Sequence, residues 1–305
     1  MPRRISFINC KGGVGKTSLV VNVAACLSQA GKRVLLIDLD AQSNSSIWLL
    51  RMERWNSLLK EDRGHLYSIF KPAKTRLGDC IIPDVVRGEE GDYILPGLDL
   101  VPSTYNLVDL EEAEETEEEE PAYALFQNQL SEIEDDYDFI LFDCPPNLLR
   151  ASSCGIFCSN EIYTPANPDA LSLIGFCLVA DKVEQFQEES LEYRLRKMGP
   201  QAEIRGAIFN SIGANVDING PKMRMQFRMN QIKGKGPVAE DVHILGTVVR
   251  DAVIVPRSVT LGLPVCAIPI EVDEETVRDD YRRLAMEIVE IPLRREQERM
   301  EVRAS

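Results

Sequence analysis

Residues 11–18, KGGVGKTS, limit the fold of this chain more than any other stretch. They lie between an apolar run, RISFIN (4–9), and a helical pattern, TSLVVNVAACLSQAG (17–31), that ends in a glycine suited to a helix C-cap. A glycine-rich loop that joins a strand to a long helix is the context that separates a phosphate-binding loop from a chance match. Gly12, Gly13 and Gly15 let backbone N–H groups converge on phosphate oxygens with no Cβ in the way. The helix that follows turns its positive end toward the same anion. Lys16 is expected to neutralise the β- and γ-phosphates and the Thr17 hydroxyl to bind Mg2+, with Val14 and Ser18 inside the same nucleotide-binding run. The loop also opens on a second lysine, Lys11, which a single phosphate site does not need.

Strand and helix patterns alternate from end to end. KRVLLIDLD (32–40) reads as a strand buried on both faces. LDLVPS (98–103), YDFILFDCPP (137–146), NEIYTPAN (160–167), AEIRGAIFNSI (202–212) and HILGTVV (243–249) read as further strands. Helical patterns separate most of them, notably 121–136 and 169–186, and a closing helix carries Val277, Tyr281, Leu284 and Ile288 on one stripe. This order predicts an α/β fold, a doubly wound and mostly parallel sheet flanked by helices, as one domain over 1–305. Residues 47–95 and the acidic run 109–120 are expected to be irregular insertions. In such a sheet ligands bind beyond the carboxyl ends of the strands. Asp143, just past one apolar strand, and Asp38 and Asp40, at the end of another, are therefore candidates to meet at the loop, with Asp40 and Asp143 the preferred pair.

The motifs INCKGGVGKTSLVVNVA, RVLLIDLDAQSN and YDFILFDCPPN resemble the three nucleotide-site motifs of the ParA/MinD family of deviant Walker ATPases, nearest to its partition branch. LDLVPSTYNLVDLE and GTVVRDAVIVPRSVTLGLPV resemble later parts of the same family. The resemblance implies a slow ATPase that pairs as a homodimer around ATP, with Lys11 reaching the partner's phosphates. It assigns Thr17 to Mg2+, Asp143 to the metal's outer shell, and Asp40 to orienting the attacking water. Asn210 and Pro269 occupy positions where the family pattern contacts adenine. The resemblance further implies non-specific DNA binding and a ParB-like or cargo-adaptor partner that stimulates hydrolysis.

Composition neither supports nor forbids a DNA face. The net charge is −15, but nine of the acids fall in 109–120, which leaves −6 over the rest. PKMRMQFRMNQIKGKG (221–236) carries Lys222, Arg224, Arg228, Lys233 and Lys235 and no acid. At helical spacing Arg224, Arg228 and Gln231 share one face, opposite Met225, Met229 and Ile232. Arg250 and Arg257 lie in a late loop that resembles the family's DNA-contacting segment, although Asp251 stands where many relatives have arginine. Eight scattered cysteines without C-x-x-C, and only two histidines, argue for reduced thiols and against zinc. No apolar run reaches the ~20 residues of a membrane span, and the tail after Pro292 lacks an apolar face. A cytoplasmic, nucleoid-associated protein is expected. A switch of the same fold that positions a protein cargo without DNA, and an iron–sulfur or metabolic ATPase, are the alternatives. The cysteine spacing does not suit a cluster.

Overall fold

The apolar runs become strands. The computed structural model describes residues 1–304 apart from 62–63, 72–74, 89–91, 113–119, 195–199 and 270–274. Its strands are β1 (Arg3–Phe7), β2 (Val34–Asp38), β3 (Val86–Arg87), β4 (Tyr93–Leu95), β5 (Leu98–Val101), β6 (Phe139–Asp143), β7 (Glu161–Ala166), β8 (Glu203–Phe209) and β9 (Val238–Ile244). The helices are α1 (Lys16–Gln29), α2 (Asn44–Glu61), α3 (Val108–Glu112), α4 (Ala122–Leu130), α5 (Arg150–Cys158), α6 (Ala170–Glu189), α7 (Asn219–Ile232), α8 (Ile254–Leu261) and α9 (Glu275–Ala304).

Seven strands form one sheet in the order β5-β2-β6-β1-β7-β8-β9, and every neighbouring pair is parallel. β3 and β4 form a separate antiparallel ribbon. Every residue of β2 and β6 is buried, because helices cover both faces of the sheet. One core lies between the sheet and α4, α5, α6 and α7. The other lies beneath α1, α2, α8 and α9. The expected stripe of α9 is buried in the second core, where Val277, Tyr281, Leu284 and Ile288 are each at most 2% exposed. Burying a side chain of this size contributes about 1.5–3 kcal/mol, so the helix is fixed by that face rather than by its charged one.

The strand order places the site. β1 has β6 on one side and β7 on the other, so the chain winds away from β1 in both directions and leaves a crevice at its carboxyl end. In the register of the neighbouring strands Asp143 lies opposite both Phe7 of β1 and Asp38 of β2.

Three local expectations change. The last strand is 238–244 rather than 243–249. Its acids at 240 and 241 face solvent from an edge position, which hid the strand pattern. Leu245 and Val249 still donate to the Ala207 and Phe209 carbonyls, both at 2.9 Å, and the residues between them loop out. The stretch 47–95 is not irregular throughout, since α2 buries Trp48, Leu49, Leu50 and Trp55. Arg51, at φ 59° and ψ 160°, breaks that helix in two, so no single helical period runs through it. Of the acidic run, 109–112 belong to α3 and 113–119 lie outside the described residues.

Candidate functional site

The loop between β1 and α1 is shaped by its glycines and held by two asparagines. Gly13 and Gly15 both have φ 74°, a left-handed backbone that a side chain strains. A Cβ on Gly15 would stand 2.0 Å from Asn210 Nδ2. Asn210, at the end of β8, donates that amide to the carbonyls of Val14 (3.0 Å) and Gly15 (3.3 Å). Its Oδ1 is buried without a hydrogen-bond partner among the described residues. Asn9, fully buried after β1, accepts from Lys11 N–H at 2.8 Å and donates to the Pro165 carbonyl of β7 at 2.6 Å, which ties the loop across the crevice. Gly12 and Gly13 are exposed at the loop's crown, while Thr17 and Ser18 are half-buried in the first turn of α1.

The two lysines are placed differently. Lys16 is buried and folds back, with Nζ 3.3 Å from the Asn9 carbonyl and 3.5 Å from that of Lys11. Burial lowers the pKa of its ammonium group, against the attraction of Asp143 and Asp40. Lys11 points away from the loop and meets Asp169, with Nζ 2.5 Å from Oδ2. Asp169 is also the N-cap of α6, accepting from Ser172 N–H at 2.7 Å. Its slight burial works to raise the carboxyl pKa, but the bonds from Lys11 and Ser172 hold it below the ordinary value.

The carboxylates gather as their strand ends require. Asp143 is 1% exposed, accepts from the Ser45 hydroxyl and hydrogen-bonds the Thr17 side chain. Burial pushes its carboxyl up to about 6, with Asp40 adding to the rise and Ser45, Thr17 and Lys16 opposing it. Its Oδ1 is buried without a partner among the described residues. A buried, charge-prone acceptor beside a threonine hydroxyl and a second carboxylate fits a hard divalent cation with its water shell. Asp40 is 8% exposed and accepts from Gln42 N–H at 2.9 Å. Asp38, fully buried beside Asp143, holds the segment that carries Asp40. It accepts from the N–H of Asp40 (3.1 Å), the N–H of Ser46 (3.0 Å) and the Ser46 hydroxyl (2.6 Å). Burial and the neighbouring Asp143 push its carboxyl well up. This bracing part was not legible in sequence, where the run LLIDLD offered Asp40 as the preferred acid and left Asp38 without a role. The roles of Asn9 and Asp169 carried no signal beyond polar residues at strand and helix ends.

The remaining candidates are dispersed. Pro269 is exposed, past a short turn whose Val265 N–H donates to Asn22 of α1 at 2.8 Å. Arg224 and Arg228 are exposed on α7 opposite the buried Met225 and Met229, and Arg228 bonds Gln231 at 3.0 Å. Lys233 is exposed just after the same helix. Arg257 is exposed on α8, which packs on the other face of the sheet. Arg250 is engaged by Asp280 of α9 at 2.7 and 2.8 Å and by the Thr276 carbonyl. The basic residues therefore do not form one surface. Among the described residues no helix is long and apolar enough to cross a membrane.

Residues 2–197 match the model of a family described as an AAA domain. The chain is 32% identical over 190 residues to the chromosome-partitioning ATPase Soj of Treponema pallidum, covering 61% of this chain and 66% of that protein. It is 30% identical over 190 residues to the sporulation initiation inhibitor protein Soj of Bacillus subtilis, covering 62% and 67%. In fold it is similar to a putative plasmid partition protein of Borrelia burgdorferi bound to AMPPNP, with a TM-score of 0.61 and 20% identity over 97% of this chain and 100% of that one. A phosphate-binding loop with two lysines, carboxylates at two adjacent strand ends and these relatives lead to one assignment: the chain belongs to the ParA/MinD family of P-loop ATPases.

Proposed function

We propose that this chain is an ATP-hydrolysing switch of ParA type. Two copies pair around ATP, the pair holds DNA without sequence preference, and hydrolysis releases it, so that a DNA cargo such as a plasmid or chromosome is positioned over the nucleoid in the cytoplasm. Hydrolysis is weak until a ParB-like or cargo-adaptor protein stimulates it.

The observation that carries this reading is the divergence of the two lysines. Lys16 is folded into its own loop, whereas the Lys11 ammonium stands outside it against Asp169. A cation on that edge suits a phosphate offered by another chain, as a trans-acting arginine does in other NTPases. The N–H groups of Gly12, Gly13, Val14 and Gly15 and the start of α1 cradle the phosphates, and Lys16 neutralises them. Thr17 and Asp143 would hold magnesium, the latter through its water shell, with Asp40 close by. Held there, magnesium would supply positive charge that offsets the negative charge developing on the phosphates. Asp40, fixed through Asp38, orients the attacking water. The unpartnered Oδ1 of Asn210 is an acceptor, which suits the amino group of adenine and not the carbonyl of guanine. Pro269 would pack beside the base.

Arg224, Arg228 and Lys233 are the phosphate-tracking candidates, with Arg257 on a separate face. The engagement of Arg250 by Asp280 and the separation of Arg257 from α7 favour the second reading, a switch that positions a protein cargo without DNA. Retention on DNA, measured with ATP and with ADP at two salt concentrations, separates the two. Retention that needs ATP and falls steeply with salt supports the first, and the Arg224→Glu/Arg228→Glu protein should then lose it. Lys11→Ala should still bind ATP and fail to pair. Normal pairing by that variant would refute the trans role of Lys11.

A further inference from the structure

Helix α1 is apolar along LVVNVAACL (19–27) except at Asn22, which is fully buried. Asparagine is a weak helix former, and a buried amide costs free energy unless it is hydrogen-bonded. Here both of its ends are engaged. Nδ2 donates to the Ser18 carbonyl, one turn earlier in the same helix, at 2.8 Å. Oδ1 accepts from the N–H of Val265, 243 residues away, also at 2.8 Å. The Tyr281 hydroxyl of α9 hydrogen-bonds the side chains of Ser18 and Asn22. The amide thus ties the turn 265–267 to the helix that begins at Lys16.

The two ends of this tie lead to opposite parts of the nucleotide site. Ser18 lies in the first turn of α1, two residues after Lys16. At 1.5 Å of rise per residue, Asn22 stands roughly 9 Å along the axis from Lys16. At the other end, Leu263, Val265, Cys266 and Ile268 are buried, and Pro269 emerges from that run exposed. The run has two other polar holds. Trp48 of α2 donates to the Leu263 carbonyl at 3.1 Å. Arg278 of α9 donates to the carbonyls of Val265 (3.2 Å) and Ile268. Of these three side chains, only Asn22 belongs to the helix that carries the phosphate loop. We infer that Asn22 is a positioning residue for the nucleotide: through Val265 it fixes the spacing between the phosphate loop and the segment that presents Pro269 to the base. This rests on the reading of Pro269 given above and names what holds it in register. A spacing fixed before ATP arrives leaves less ordering to be done on binding.

The experiment titrates wild type, Asn22→Leu, Val265→Pro and the double variant with ATP and with inorganic tripolyphosphate, both with magnesium. Val265→Pro keeps Asn22 and deletes only the N–H. Pro264 already has φ −61° and ψ 152°, which a following proline demands, and Val265 opens its turn, where a ring is tolerated. Melting curves check the fold, and Val265→Pro decides the matter if Asn22→Leu does not fold. Each single variant should bind ATP about tenfold more weakly and tripolyphosphate within about twofold of wild type. The double variant should be no weaker than either, because both changes delete one bond. A purely structural tie would weaken the two ligands together or neither, and either result overturns the inference. If wild type prefers ATP to tripolyphosphate and the variants keep that preference, the inference falls and the reading of Pro269 survives. If wild type shows no preference, both fall.

Discussion

Gly15→Ala tests the account of the loop most directly. At φ 74° a side chain costs about 1 kcal/mol in backbone strain. The new Cβ would lie 2.0 Å from Asn210 Nδ2, so Asn210 has to leave its place. It would then give up its bonds to Val14 (3.0 Å) and Gly15 (3.3 Å), each contributing about 1 kcal/mol. The expected destabilisation is about 3 kcal/mol, or roughly 6 °C in melting temperature for a chain of this size. If the loop cradles phosphate as proposed, the same movement opens it, and ATP affinity should fall about a hundredfold. Gly12→Ala is the internal control. Its Cβ would meet nothing within 4 Å, and its backbone is outside the left-handed region, so its melting should match wild type within about 1 °C. The double variant Gly15→Ala/Asn210→Ala removes the nearest obstacle, leaving only Ser18 Oγ at 2.9 Å, and should cost at least about 1 kcal/mol less than the two single changes together. Calorimetric melts and ATP titrations on wild type and the four variants, Asn210→Ala among them, decide it. Wild-type melting of Gly15→Ala, with additive behaviour of the pair, would refute the clash.

Three further outcomes follow from single contacts. Arg4 is 1% exposed and meets Glu134 at 3.0 Å, so Glu134→Gln removes the opposing charge of a buried cation and should cost about 2–3 kcal/mol in urea unfolding; an unchanged midpoint would contradict it. The Asp143 carboxyl, pushed up to about 6, holds its proton better folded than unfolded. In the metal-free protein that contribution is present at pH 4 and lost as pH rises through 6, by at most about 3 kcal/mol, and Asp143→Asn should flatten the slope seen in EDTA. Arg250→Ala exposes the buried Asp280 to the loss of a two-pronged partner, so it should lower stability by about 1–2 kcal/mol while leaving any retention on DNA at the wild-type level.

Proximity in the chain and proximity in the fold assign different things here. The glycine loop, the carboxylates at strand ends and the parallel sheet were legible because each depends on short-range chemistry: φ freedom, apolar runs of strand length, and polar residues where a strand stops. The burial of the α9 stripe and the two faces of α7 follow from helical period alone. What the sequence could not decide needs partners from distant strands. The motif resemblance already preferred Asp40 to Asp38, but only the register opposite Asp143 makes Asp38 a buried brace for the segment that carries Asp40. Arg250 looks like a free cation until Asp280, thirty residues away, is seen to hold it. Arg224 and Arg257 are both candidates for a DNA face by sequence, and they lie on opposite faces of the sheet. Charge and hydrophobicity are properties of a residue, but whether a group is available is set by what the tertiary structure brings within bonding distance of it.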